Sequence, residues 1–212
     1  MPDPDAVEIR VLGCLIEKQR TTPDQYPLSL NSLRLACNQS TNRDPVVDYD
    51  ERTIKAALER MSMRGWTRFA SGASSRALKY RHLLDEALGV SDAEISILAV
   101  LMLRGPQTLG ELKGRTERMY RFDFLEDVQR TLDGLAGREL VVRLARRPGQ
   151  KEDRYAQLLG GGDEQPVPAA APAEPVDTDR LGALEQRVEE LERAFAEFRE
   201  RLEGNEQTYA NP

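Results

Sequence analysis

A pattern of capped helix, apolar helical stripe and closing strand occurs twice in this chain. The repetition limits the possible folds more than any single stretch does. In the first copy Ile54, Leu58 and Met61 recur at the i, i+4, i+7 spacing of one buried helix face. In the second, Val128, Leu132 and Leu135 reproduce that spacing seventy-four positions later. Arg154-Tyr155-Ala156-Gln157-Leu158-Leu159 echoes Lys79-Tyr80-Arg81-His82-Leu83-Leu84 at an offset of seventy-five. An offset held within one residue across a helix and a hairpin marks two tandem copies of one supersecondary unit.

Each copy reads as three helices followed by a two-stranded ribbon. Asp5, with Glu8 three positions on, caps a helix that carries Val11, Leu12, Leu15 and Ile16. Residues 21–27 hold two prolines and resist helix. Ser29 precedes a short helix over 30–37, and turn-formers fill 38–45. Asp48, with Glu51 as its reciprocal cap, is expected to open the long helix and Gly65 to end it. Residues 66–70 and 77–84 are expected to be strands around a turn at 71–75. In the second copy Ser91 and Glu94 form the cap, and Ile95, Leu98, Leu101 and Met102 the stripe. Thr108 starts a short helix and Asp123 a longer one, and Leu140, Val142 and Leu144 alternate as a strand does. Helix, helix, helix, hairpin is the order of a winged helix-turn-helix domain. The expected fold class is therefore α+β, mostly helical, with two tandem winged helix-turn-helix domains over 5–88 and 90–159.

A different regime follows. Residues 160–179 are rich in Gly, Pro and Ala and read as a flexible, disordered linker. Leu181, Leu184, Val188, Leu191, Phe195, Phe198 and Leu202 then step alternately by three and four, a heptad seam on a C-terminal coiled-coil helix over 180–203. With Leu181 at position a, Arg180/Glu185 and Arg187/Glu192 would attract across a parallel pair. The seam predicts a homodimer; the alternative is a helix that lays the seam on the protein's own body.

The net charge of −6 is unevenly distributed. Residues 1–90 carry 13 Lys/Arg against 12 Asp/Glu, residues 91–160 carry 12 against 11, and residues 161–212 carry 5 against 13. The repeats are nearly neutral and the tail is acidic, so nucleic-acid binding requires local clustering of basic residues. The acidic start, Met1-Pro2-Asp3-Pro4-Asp5, lacks an apolar signal core, and no run reaches the roughly 18 apolar residues of a membrane span. The expected location is cytoplasmic, without membrane association. Cys14 and Cys37 read as small core residues.

The sequence offers little for catalysis. The only histidine, His82, reads as an ordinary surface residue of a wing, and the cysteine spacing matches no zinc site. No Gly-rich phosphate loop and no Gly-x-Ser-x-Gly elbow is present. No enzyme activity, cofactor or metal is expected. Double-stranded DNA is the expected partner. The first copy offers Arg52, Lys55 and Arg60 on the long helix and Arg76, Lys79 and Arg81 on the wing. The second offers Arg115, Arg118 and Arg121 before its long helix and Arg143, Arg146, Arg147 and Lys151 on its wing. Both long helices begin with acidic residues, which repel phosphates. The alternative is thus a protein-interaction scaffold that docks other proteins without binding DNA.

Long strings in this sequence also resemble the YceH-like family of bacterial proteins. They include Leu12-Gly13-Cys14-Leu15-Ile16-Glu17-Lys18, Thr22-Pro23-Asp24-Gln25-Tyr26-Pro27-Leu28-Ser29-Leu30-Asn31, Asn42-Arg43-Asp44-Pro45 and Arg104-Gly105-Pro106-Gln107-Thr108. The resemblance spans roughly residues 5–160 and implies two winged-helix domains in tandem; it implies no catalytic residues.

Overall fold

A computed structural model describes residues 3–70, 78–146 and 152–160. Within them the chain is α+β, with seven α-helices and two small antiparallel sheets. Beyond Gly160, the expected linker over 160–179, the helix over 180–203 and the seam from Leu181 to Leu202 lie outside the described residues. All the described residues belong to one compact unit.

α1 (Ala6–Thr21) starts where the sequence places it. Asp5 Oδ1 accepts the Glu8 N–H at 2.9 Å, and Glu8 Oε2 accepts the Asp5 N–H at 2.9 Å, which satisfies two orphan donors at the helix start. β1 (Leu28–Ser29), which the sequence reading missed, leads directly into α2 (Leu30–Cys37), capped by Ser29. α3 (Glu51–Met63) begins two residues later than expected. Its cap is Asp50, whose Oδ1 accepts the Thr53 N–H at 2.7 Å. Asp48 is engaged elsewhere: the Asn38 amide bonds its carboxylate at 3.3 Å and both backbone groups of Tyr49 at 2.9 Å. That amide clamp holds Asp48 and Tyr49 outside the helix.

β2 (Thr67–Ala70) and β3 (Lys79–His82) form the first hairpin, and β1 pairs with the other edge of β3, giving the order β1-β3-β2. The expected strand over 77–84 is too long. β3 ends at His82, and Leu84, expected at the strand end, opens α4 (Leu84–Leu88) as a fully buried helix residue.

α5 (Asp92–Arg104) uses the expected Ser91/Glu94 capping box and is buried from Ile95 to Leu103 without a break. A helix apolar all round must be covered on every side, and α5 is the central element. α6 (Leu109–Thr116) and α7 (Leu125–Gly137) follow. α7 starts two residues after the expected Asp123, with Asp127 Oδ2 accepting the Phe124 N–H at 3.3 Å. β4 (Val141–Leu144) and β5 (Arg154–Gln157) close the second hairpin. In β4 Val141 is buried, Arg143 is exposed, and Leu140, Val142 and Leu144, expected to point inward, are only half-buried.

The two repeats share one hydrophobic core that runs from Ile9 to Tyr155. α1 and α5 lie against each other at its centre. Gly13 makes their closest approach possible: a Cβ at this position would sit 2.9 Å from Leu103 Cγ and 3.1 Å from Met102 Cβ. Each fully buried Leu or Ile of this seam, such as Leu12, Ile16 and Leu98, contributes about 1.5–3 kcal/mol. Among the described residues no helix is long and apolar enough to cross a membrane.

Candidate nucleic-acid interface

The first hairpin has two unlike faces, because strand residues alternate sides and opposed residues share one. Tyr80 and His82 are buried, and Phe69 stacks on Tyr80 with ring centroids 5.1 Å apart. The opposite face carries Lys79 and Arg81 on β3, with Arg68 of β2 directly across from Arg81. Arg68 is exposed, and the sequence reading did not select it. Arg81 has an acidic neighbour, Glu86, at 3.6 Å. No ion pair involves Arg68 or Lys79 among the described residues. Two guanidinium groups in register on one sheet face repel each other, so an anion placed there would relieve an existing cost.

α3 adds Arg52 and Lys55 on its exposed face, neither in an ion pair among the described residues. Lys55 borders a groove lined by Ser29, Leu30, Asn31, Leu78 and Tyr80, where the helix meets the hairpin edge. Arg60 has a different part to play. It bonds Asp5 at 2.5 Å and lies 3.4 Å from Glu8, so it ties α3 to the start of α1. Arg34 lies 4.0 Å from Glu51 and offsets part of the acidic first turn.

In the second repeat Arg115, Arg143 and Arg146 each have an acidic partner. Arg143 and Arg146 both bond Asp153, the latter at 2.9 Å, and Asp153 is half-buried between them. The hydrogen bond from Arg143 holds the Asp153 carboxyl below the ordinary carboxylate range. Arg115 lies 3.2 Å from Glu111. The exposed face of α7 carries Glu126 and Asp133, and its Arg130 is paired with Asp127 at 3.2 Å. Arg118 and Arg121 are exposed beyond α6, without an ion pair among the described residues. Arg76, Arg147 and Lys151 lie outside the described residues.

Two further groups differ from their sequence reading. His82, expected at the surface, is only 3% exposed. Its Nε2 lies 2.5 Å from Gln19 Oε1, its Nδ1 3.5 Å from Asp85, and its backbone N–H donates to the Tyr26 hydroxyl at 2.8 Å. Burial lowers its pKa from 6.5 to about 4, against the opposing pull of Asp85. Cys14 and Cys37, far apart in sequence, are both buried and hydrogen-bonded to each other; that bond and burial push the Cys37 thiol up. Among the described residues no cluster of His, Cys, Asp and Glu could hold a metal ion.

Comparison with known proteins adds relatives to this geometry. Residues 5–150 match the family model described as "Protein of unknown function, DUF480". The chain is 48% identical over 202 residues to a UPF0502 protein of Solibacter usitatus, covering 94% of this chain and 98% of that one. It is 44% identical over 205 residues to the UPF0502 protein YceH of Escherichia fergusonii, covering 93% and 94% respectively.

Proposed function

The chain belongs to the DUF480 family, and we propose that it is a DNA-binding protein of two tandem winged helix-turn-helix domains. In this reading it contacts phosphates with low sequence specificity, in a regulatory or nucleoid-associated role. The element order of both repeats supports the fold assignment, as does the β1-β3-β2 sheet of the first. One observation carries the function: Arg68, Lys79 and Arg81 occupy one face of the first hairpin, with Arg68 and Arg81 in direct register. A phosphate backbone along that face would offset their repulsion and release counterions. Arg52 and Lys55 extend the contact onto α3. The second hairpin contributes less, because Asp153 competes with phosphate for Arg143 and Arg146.

The test is fluorescence anisotropy of a labelled duplex titrated with the full chain across a salt series. Affinity should fall steeply with salt. The double variant Arg68→Glu/Arg81→Glu should lower the salt slope by about 2, roughly one for each lost phosphate contact. Arg143→Glu/Arg146→Glu should change it less. Absence of duplex binding at low salt, or an unchanged slope in the first variant, refutes the reading.

A second reading has its own observation. Phe124 and Leu125 are 65% and 45% exposed in front of the acidic turn of α7, a surface suited to a protein partner rather than to DNA. Under that reading, partners captured from lysate survive nuclease treatment. Self-association through the heptad spacing of Leu181 to Leu202 remains a proposal from sequence. Truncation after Gly160 should then convert a dimer into a monomer.

A further inference from the structure

The basic groups left over from the hairpins converge at the junction of the two repeats. After α2 the chain turns through Asn42, which takes a left-handed φ of 61°, a conformation that asparagine tolerates. Asp44 then donates its N–H to the last-turn carbonyl of Leu103 on α5 at 2.9 Å, which pins this loop of the first repeat against the second. Between them lies a cavity of about 510 Å³, within the range of small-molecule sites. Its walls come from both repeats: the Asn42-Arg43-Asp44 loop, the turn after α5, the inner face of α6 and the second hairpin. A neighbouring cavity of about 460 Å³ shares Asn42, Arg104 and Arg115 with it.

Four arginines line the cavity, Arg43, Arg104, Arg115 and Arg154, against two carboxylates, Asp44 and Glu111. Arg115 and Arg154 share a single carboxylate, Glu111, at 3.2 and 3.3 Å. Arg104 bonds the neutral side chain of Asn42 and has no carboxylate partner among the described residues. Arg43 is already neutralised by Glu17 at 2.6 Å. Arg104 is pulled below the ordinary arginine value, first by burial and then by the guanidinium groups of Arg115 and Arg43. Gln107 is 3% exposed, its amide nitrogen is used by the carbonyls of Arg104, Gly105 and Pro106, and its Oε1 has no hydrogen-bond partner.

We propose that this inter-repeat cavity binds a small hydroxylated organic anion, its oxyanion held by Arg104 and Arg154 and its hydroxyl groups facing the Glu111 carboxylate. Guanidinium forks suit both carboxylate and phosphate oxygens, because each presents two parallel donors to a planar or tetrahedral oxyanion. The cavity draws on both repeats, so an occupant would brace one against the other. The inference stands apart from DNA binding, and its test contains no DNA.

The probes are glycerol 3-phosphate and glycerate, with uncharged glycerol as control, titrated calorimetrically into the full chain at constant ionic strength. Saturable binding of at least one anion and none of glycerol is expected, and the two anions distinguish a phosphate site from a carboxylate site. Arg104→Gln should weaken binding about tenfold or more, the loss of one charge-assisted hydrogen bond. Arg104→Lys should recover little, since lysine lacks the fork. Arg154→Gln provides the same reading if the Arg104 variant does not fold. The proposal is overturned if neither anion saturates the wild-type chain. It is equally overturned if a variant that folds as wild type by circular dichroism binds as wild type does.

Discussion

Acidification should unfold this protein partly through one side chain, His82, and the size of the effect follows from its surroundings. The imidazole is enclosed by α1, β3 and the start of α4, with Gln19, Tyr26 and Asp85 as its polar neighbours. Its Nδ1 has no hydrogen-bond partner, and Arg20 and Arg81 disfavour a positive charge there. In the unfolded chain the ring takes up a proton below about 6.5; in the folded chain it does so only below about 4. Between those values the unfolded state binds the extra proton, so stability falls as pH falls. The contribution is complete above 6.5 and lost below about 4, and the interval corresponds to roughly 3 kcal/mol. Urea unfolding of the wild type and of His82→Gln between neutral pH and about pH 4 isolates this term, because carboxylate titrations are common to both. The gap between the two proteins should shrink by about 3 kcal/mol across the window. His82 is the only histidine, so its proton resonances can be followed without assignment. A gap independent of pH, or an imidazole that titrates near 6.5 in the folded protein, refutes the argument.

Other outcomes follow from the same structure. Gly13→Ala should destabilise the fold by about 1–2 kcal/mol in thermal or urea unfolding, because overpacking against Leu103 and Met102 outweighs the roughly 1 kcal/mol gained in helix propensity; a raised midpoint would mean that α1 and α5 can part without cost. Glu17→Ala should cost about 3 kcal/mol by urea unfolding, since it strands the fully buried guanidinium of Arg43, and a change under about 1 kcal/mol would contradict the pairing. Asp153→Asn should tighten duplex binding and steepen its salt dependence in anisotropy titrations by freeing Arg143 and Arg146, and weaker binding would show that Asp153 instead holds those residues in place for DNA.

Local rules account for what was legible in the sequence. The caps at Asp5, Ser29, Ser91 and Thr108 lie where hydroxyl and carboxylate residues precede apolar stripes, and those bonds span only three positions. The stripes of Ile54, Leu58 and Met61, and of Val128, Leu132 and Leu135, are buried because helical periodicity is a property of the segment itself. The tertiary structure decided the rest. Asp50 rather than Asp48 caps α3 because Asn38, ten positions before Asp48, holds the intervening chain away from the helix. His82 is buried because its strand is covered by α1, which no neighbour in the sequence could indicate. The candidate site divides in the same way. Basic residues could be picked out one at a time, but whether each is free or neutralised depends on a carboxylate brought near by folding, as Asp5 is to Arg60 across 55 positions. The register of Arg68 against Arg81, the contact of Cys14 with Cys37 and the cavity around Arg104 have a single cause. Side-chain periodicity is written along the chain, whereas the pairing of distant faces is set only when both repeats close on one core.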